Sequence, residues 1–161
     1  MITGGARSGK SRMALSLANQ SATKTFIATA QPFDEEMKAR IRAHRAERSD
    51  SWILIEEPLN IPYVLTNARP GVVLIDCITL WISNLIHSHN DIKAIDDLLH
   101  ALKQRSELTI VVTNELGMGI VPDNPLARKF RDLIGTTNQS IASVADEVIC
   151  MISGLPLYLK G

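Results

Sequence analysis

The sequence predicts an α/β fold in which helices cover both faces of an open, mostly parallel sheet. Short apolar, β-branched runs alternate along the chain with longer stretches of helical period. The runs are apolar on both faces, which is typical of parallel strands buried between two helical layers. A glycine-rich turn, Gly4–Gly9, stands where the first strand gives way to the first helix. These observations predict a single domain over residues 1–161 with right-handed crossovers.

The strands are predicted from their β-branched composition. They span residues 25–28, 53–55, 72–75, 108–112 and 148–152. A first strand is expected at Met1–Thr3, which is short for a central strand. The segment Leu155–Leu159, after the Ser153–Gly154 turn, is expected to add a C-terminal edge hairpin.

The helices are predicted from apolar periodicity and from the residues at their ends. They span residues 11–19, 34–48, 78–87, 92–103 and 125–145. The second begins with the acidic run Asp34–Glu36, which suits the positive end of a helix dipole. The last contains Gly135, a poor helix former, so a kink or break is expected there.

Composition restricts the class of protein. Lys+Arg and Asp+Glu both number 17, so the formal net charge is zero and a general nucleic-acid binder is disfavoured. No apolar run approaches the roughly 18–20 residues of a membrane helix, and no signal peptide is visible. Cys77 and Cys150 lie far apart without a CxxC partner, which indicates free thiols and a cytoplasmic location.

The glycine-rich turn carries a phosphate-binding pattern. Eight residues fit G-x-x-x-x-G-K-[ST]: Gly4, Gly5, Ala6, Arg7, Ser8, Gly9, Lys10 and Ser11. Glycines let successive backbone N–H groups turn toward phosphate oxygens, and the following helix points its positive end at them. Lys10 is predicted to reach the β- and γ-phosphates, and Ser11 to ligate Mg²⁺. The alternative, a chance glycine turn, is disfavoured by the position between strand and helix.

Two acidic residues follow predicted strands at the carboxyl edge of the sheet, where ligands bind in open α/β folds. Asp76 ends a buried run and is predicted to hold Mg²⁺ through water; the alternative is a cap on the next helix. Glu115 is a candidate for positioning metal or nucleophile, with a surface-loop carboxylate almost equally favoured. These features predict a nucleoside triphosphate as ligand. The segment Asn114–Gly117 does not match the guanine-reading N-K-x-D of regulatory GTPases.

A histidine lies among arginines on the second predicted helix. Arg40, His44 and Arg48 are spaced i, i+4 and i+8 and share one face, beside an apolar stripe that contains Met37 and Ile41. Neighbouring positive charges favour the neutral imidazole, which is able to attack a phosphorus atom. The pattern by itself favours a solvated basic face.

Two further segments make the combination of motifs unusual: N-E-x-G-x-G-I-V-P at Asn114–Pro122 and R-I-x-x-H-R at Arg40–Arg45. With the phosphate-binding turn, they resemble the bifunctional adenosylcobinamide kinases/adenosylcobinamide-phosphate guanylyltransferases of cobalamin biosynthesis. The resemblance covers nearly the whole chain and implies a phosphate-loop nucleoside-triphosphatase fold.

The resemblance implies two successive reactions. The first phosphorylates the aminopropanol hydroxyl of adenosylcobinamide with ATP or GTP. The second transfers GMP from GTP to that phosphate through a covalent histidine intermediate, releasing pyrophosphate and giving adenosylcobinamide-GDP. The resemblance also implies Mg²⁺ as cofactor and assembly as a homo-oligomer such as a trimer.

The resemblance assigns roles to particular residues. His44 matches the histidine that carries GMP, which reverses the interpretation of a solvated face, and Lys10 and Asp76 complete the catalytic set. The matching nucleotide-binding residues are Thr3 and the turn through Ser11, with Ala28, Thr29, Ala30, Arg45, Ala46, Glu47, Arg48, Glu56 and Ile78.

Two other functions stay open from the sequence. One is a different phosphate-loop kinase for a small metabolite, in which His44 is only a surface residue. The other is a non-catalytic nucleotide-binding regulator. The histidine–arginine helix and the segment Asn114–Pro122 favour the bifunctional enzyme over the first, and the missing N-K-x-D disfavours the second.

Overall fold

The chain alternates strands and helices in a computed structural model that describes residues 1–19, 21–32, 34–46, 51–88 and 93–161, without the side chains of residues 40, 43, 44 and 46. The elements are β1 (Ile2–Gly4), α1 (Lys10–Ala18), β2 (Lys24–Ala28), α2 (Glu35–Ala46), β3 (Trp52–Glu56), α3 (Ile61–Thr66), β4 (Val72–Asp76), α4 (Ile78–His87), α5 (Lys93–Gln104), β5 (Thr109–Val112), α6 (Pro125–Val144), β6 (Val148–Ile152) and β7 (Leu155–Lys160).

The described strands form one sheet in the order β3-β2-β4-β5-β1-β6-β7. β1 to β6 pair in parallel, and β7 pairs antiparallel with β6, which confirms the predicted hairpin. β1 is short but lies between two neighbours, with Ile2 opposite Val112 on β5 and Ile149 on β6. The hydrogen bond from the Glu115 amide to the Gly4 carbonyl, 3.1 Å long, extends this pairing into the phosphate-binding turn.

Alternate residues of the central strands enter two different cores. Val73 and Ile75 of β4 pack with α3, α4, α5 and α6, where Trp81 is fully buried. Val72 and Leu74 pack on the opposite face with α1. The prediction of strands buried on both faces is therefore confirmed for the centre of the sheet.

Three sequence expectations differ from the structure. The helix α3 was not predicted, because it is six residues long and has Pro62 at its start, where proline is tolerated. Gly135 neither breaks nor ends α6, which runs continuously from Pro125 to Val144 and is held by buried Ile134 and Ile141. Because β3 is an edge strand, its residue Leu54 is 41% exposed instead of buried.

Within the described residues, no helix has the length and apolar character needed to cross a membrane.

Candidate functional site

A cleft of about 720 Å³ opens at the carboxyl ends of β2, β3, β4 and β5. Its lining comes from the phosphate-binding turn, these strand ends, α2 and the β6–β7 turn. The lining residues are Ala6, Arg7, Ser8, Gly9, Lys10, Ser11, Arg12, Phe26, Ala28, Ala30, Met37, Ile41, Glu56, Asp76, Cys77, Leu80, Val112, Asn114, Ser153 and Gly154. Most of the predicted phosphate-binding residues therefore share one cavity with Asp76.

The phosphate-binding turn approaches β6 so closely that glycine is required at its start. A Cβ atom on Gly4, whose φ is +139°, would lie 2.4 Å from the carbonyl oxygen of Met151. The Gly154 amide of the β6–β7 turn donates a 3.1 Å hydrogen bond to the Ser8 carbonyl. The hydroxyl of Ser8 is buried and has no hydrogen-bond partner among the described residues, which suits an anion held in this turn.

Lys10 is the first residue of α1, and its side chain reaches back to the phosphate-binding turn. Its Nζ atom donates a 2.6 Å hydrogen bond to the Gly5 carbonyl. Burial lowers the pKa of Lys10, and the negative charge of Asp76 opposes that shift. Phosphate oxygens in the turn would act in the same direction as Asp76, so nucleotide binding favours the charged ammonium group.

Ser11 and Asp76 offer the oxygen ligands that Mg²⁺ prefers, and both line the cleft. Within the described ranges, no group of three or more His, Cys, Asp or Glu residues is arranged to hold a metal. A magnesium ion at this position would therefore depend on phosphate and water for its other ligands, which is usual for this ion in nucleotide enzymes.

A buried polar network fixes the end of β2 to the end of β4. The hydroxyl of Thr29 donates to the Cys77 carbonyl at 2.8 Å and accepts from the Cys77 amide at 2.9 Å. The side-chain amide of Asn84 donates to the carbonyls of Thr29, at 2.7 Å, and Pro58, at 3.1 Å. Two of the predicted nucleotide-binding residues thus have partners inside the protein. The hydroxyl of Thr29 is hydrogen-bonded to Cys77, and Ile78 is fully buried in the core.

We expect Asn84→Ala to lower the free energy of unfolding by about 1–3 kcal/mol, because the buried Thr29 carbonyl and the part-buried Pro58 carbonyl lose their donor. Urea unfolding followed by circular dichroism measures this loss. The control is Asn67→Ala, which removes an exposed side-chain hydrogen bond to Tyr63 and should change stability by less than about 0.5 kcal/mol. Equal effects of the two substitutions would contradict the importance of the network.

A second network fixes the end of β5. The hydroxyl of Thr113 donates to Asn138 Oδ1 at 2.8 Å, and Asn138 Nδ2 donates to the Asn114 carbonyl at 3.0 Å. Asn114 lines the cleft, whereas the carboxylate of Glu115 accepts a 2.6 Å hydrogen bond from the Gly117 amide. The structure therefore places Asn114, and not Glu115, among the residues that line the cavity.

Cys77 also lines the cleft, and burial raises the pKa of its thiol to about 12, with Asp76 acting in the same direction. The unfolded thiol loses its proton near pH 9.0, whereas the folded thiol keeps its proton up to about pH 12. Between pH 9.0 and about pH 12 the unfolded chain therefore binds fewer protons than the folded chain. The stability that the protonated Cys77 thiol contributes is complete below pH 9 and is lost as pH rises toward about 12.

We expect the free energy of unfolding to fall between about pH 8 and about pH 10 less steeply in Cys77→Ala than in the unmodified chain. Urea unfolding at both pH values measures the two slopes. Comparing slopes removes the constant cost of the smaller side chain and the titration of other groups. Identical slopes would show that the thiol does not resist deprotonation in the fold.

The helix α2 forms one wall of the cleft through Met37 and Ile41. Its residue Arg45 forms an ion pair with Glu56, which also lines the cleft. The side chains of Arg40, His44 and Ala46 lie outside the described part of the structure, as do residues Glu47 and Arg48 altogether. Thr3 is buried in β1 and is not among the lining residues.

Sequence reasoning missed several lining residues. Arg12 follows the phosphate motif directly, so its proximity was a usable signal. Asn114 begins the segment N-E-x-G-x-G-I-V-P, but the motif by itself assigns it no role. Ser153 and Gly154 come from the distant β6–β7 turn, and only the pairing of β6 with β1 brings them to the cleft.

Comparison with known proteins identifies the family of this chain. The family described as cobinamide kinase / cobinamide phosphate guanyltransferase matches residues 1–159. The chain belongs to this family. Members of the cobinamide kinase / cobinamide phosphate guanyltransferase family are enzymes that use nucleotides, which agrees with the phosphate-binding turn.

Several named relatives extend along the whole chain. The bifunctional adenosylcobalamin biosynthesis protein CobU of Escherichia coli (strain K12) is 37% identical over 99% of this chain and 98% of its own length. The protein of the same description in Salmonella typhimurium is 39% identical over 99% of this chain and 98% of its own length. The bifunctional adenosylcobalamin biosynthesis protein CobP of Pseudomonas aeruginosa is 42% identical over 100% of this chain and 96% of its own length.

Solved structures support the fold class. An ATPase from the type III secretion system of pathogenic bacteria aligns with a TM-score of 0.57 at 11% identity, over 92% of this chain and 49% of that chain. The flagellar accessory protein FlaH of Methanocaldococcus jannaschii aligns with a TM-score of 0.52 at 15% identity, over 99% of this chain and 76% of that chain. The phosphate-loop α/β fold predicted from the sequence is confirmed.

Proposed function

We propose that the cleft carries both reactions of the family in this chain, and that guanylyl transfer passes through a covalent adduct of His44. The observation that carries this proposal is that α2, the helix containing His44, lines the same cavity as Lys10 and Asp76 through Met37 and Ile41. His44 follows Met37 by seven residues and Ile41 by three. Helical spacing assigns these three positions to one face of α2.

In the first reaction the aminopropanol hydroxyl of adenosylcobinamide attacks the γ-phosphorus of ATP or GTP. A new oxygen–phosphorus bond forms, the bond to the bridging β-phosphate oxygen breaks, and the hydroxyl proton is released. Lys10 and the backbone N–H groups of the turn hold the phosphates and stabilise the charge on the transferred group. Mg²⁺, held by Ser11 and Asp76, would neutralise phosphate charge.

In the second reaction a neutral imidazole nitrogen of His44 attacks the α-phosphorus of GTP, and pyrophosphate leaves. An oxygen of adenosylcobinamide phosphate then attacks the same phosphorus, and the nitrogen–phosphorus bond breaks. The products are adenosylcobinamide-GDP and free His44. A covalent adduct divides one difficult transfer into two easier steps, which is the advantage of nucleophilic catalysis.

We propose that residues 1–161 form a single domain in which both reactions share one nucleotide site. The described residues support this arrangement, since the sheet is continuous from β3 to β7 and the cleft spans the ends of its central strands. We propose further that the chain assembles as a homo-oligomer, such as a trimer, as the sequence resemblance implies.

Incubating the chain with α-labelled GTP and Mg²⁺ tests the covalent route. We expect label on the protein that is lost in acid and kept in base, as for a phosphoramidate. Adding adenosylcobinamide phosphate should move this label to the corrinoid. Labelling by γ-labelled nucleotide alone would contradict guanylylation and favour a kinase without the second activity.

A further inference from the structure

The segment 116–122, which follows β5, presents apolar side chains to solvent beside the cleft. Met118 is 86% exposed, Ile120 is 96% exposed and Val121 is 57% exposed. The segment reads Leu-Gly-Met-Gly-Ile-Val-Pro and carries no charged side chain. We call residues 116–122 the apolar loop. A concentration of exposed aliphatic side chains in one loop is typical of a binding surface.

The apolar loop is held at both ends, so its exposed residues have a defined position. At its start, the Glu115 amide donates to the Gly4 carbonyl at 3.1 Å and the Glu115 carboxylate accepts from the Gly117 amide at 2.6 Å. At its end, Arg128 donates to the carbonyls of Pro122, at 2.9 Å, and Asp123, at 2.7 Å. Fixed ends limit the entropy that is lost when a ligand binds.

The loop begins at the phosphate end of the cleft. Asn114 lines the cavity together with Lys10 and Asp76, and Ile120 is the sixth residue after it. Even a fully extended chain of six residues spans no more than roughly 20 Å. A substrate that places a hydroxyl group at the γ-phosphate therefore has its remaining bulk within reach of the loop.

We propose that the apolar loop binds the corrin ring of the acceptor substrate. This inference rests on the proposed function, which requires the cleft to receive a corrinoid beside the nucleotide. The periphery of a corrin ring carries methyl groups and uncharged amides, which match a loop that is apolar and uncharged. A Cβ atom added at Gly119 would meet nothing within 4 Å, so the space beside the backbone next to Ile120 is open.

A second cavity of about 220 Å³ adjoins the end of the loop. It is lined in part by Ile86, Leu126, Phe130 and Asn124, the residue that caps α6. Leu126, four residues after Pro122, is 55% exposed and adds a further aliphatic side chain near the end of the loop. In this binding mode the edge of the corrin ring would contact both the exposed residues of the apolar loop and the second cavity.

The test is Ile120→Ser, with steady-state kinetics in cobinamide and in GTP. We expect the KM for cobinamide to rise about tenfold, because one aliphatic side chain no longer packs on the ring. The KM for GTP and the labelling by α-labelled GTP, which needs no corrinoid, should be unchanged. Ile120→Leu should restore the cobinamide KM.

The control is Leu159→Ser on β7. Leu159 is 59% exposed but lies toward the opposite end of the sheet, since Lys160 pairs with Val148 at the start of β6. We expect no change in any KM. Failure of the unmodified chain to transfer phosphate or GMP would overturn the proposed function, whereas an unchanged cobinamide KM in an active Ile120→Ser enzyme would overturn only the loop assignment.

Light scattering of the same variants separates a second copy of this chain from the corrinoid as the occupant. We expect Ile120→Ser and the unmodified chain to have equal molar masses. A lower mass for Ile120→Ser would show that the loop packs against another copy and would overturn its assignment to the corrin ring.

Discussion

Lys10→Ala is expected to lower both the kinase and the guanylyltransferase activity by at least about 100-fold. The ammonium group lies in the phosphate-binding turn, lines the cleft and donates to the Gly5 carbonyl at 2.6 Å. In the proposed function both reactions place a triphosphate in the same turn, with Lys10 at the β- and γ-phosphates. The substitution therefore removes the charge that stabilises the transferred γ-phosphoryl group in the kinase reaction and the leaving pyrophosphate in GMP transfer. Burial lowers the pKa of Lys10, and bound phosphates favour its protonated form, so the missing interaction is one between full charges.

Separate assays of the two reactions decide this prediction. The first follows phosphate transfer to cobinamide from γ-labelled nucleotide, and the second follows GMP transfer from α-labelled GTP to cobinamide phosphate. Lys103→Ala, which removes an exposed lysine at the end of α5, serves as the control and should leave both rates unchanged. Loss of only one activity in Lys10→Ala would contradict a shared nucleotide site.

His44→Ala is expected to abolish the covalent label from α-labelled GTP and to lower GMP transfer by at least about 1,000-fold. Alanine supplies no nitrogen to form a bond to the α-phosphorus, so the two-step route is closed. The kinase reaction should be largely retained, because the acceptor hydroxyl attacks the γ-phosphorus directly. The variant therefore separates the two activities, unlike Lys10→Ala.

His87→Ala is the matched control for this experiment. His87 ends α4, where its Nδ1 atom lies 2.7 Å from the Ser83 carbonyl, and it does not line the nucleotide cleft. We expect full labelling of this variant. Undiminished label in His44→Ala would refute the assignment of His44 as nucleophile and move the search to other nucleophiles around the cleft.

The extent to which the site could be predicted follows from how local each part is. The turn from Gly4 to Ser11 was predictable because its chemistry depends on neighbours in sequence, namely glycines for close approach and a helix that starts at once. Asp76 was predictable because the end of a buried strand is visible as the end of an apolar run. The network of Thr29, Cys77 and Asn84 was not, since its members lie 48 and 55 residues apart.

Propensity also failed where packing was stronger. Gly135 favours a break in an isolated helix by about 1 kcal/mol relative to alanine. The burial of Ile134 and Ile141 against the core outweighs that preference, and α6 continues through the glycine. Helix α3 is not predicted from the sequence, because six residues carry too little apolar periodicity to be distinguished from a loop.

The sequence by itself determined the fold class, the phosphate-binding turn and the resemblance that the comparisons confirmed, because each depends on short-range patterns of residue type. Only the tertiary structure decided that the ends of β2, β3, β4 and β5, the helix α2 and the β6–β7 turn meet around one cleft. Strand order determines that meeting, and it depends on long-range burial, which no local pattern records. The tertiary structure also decided that Ile120 is exposed, because it shows that the core residues pack together without contact from this side chain.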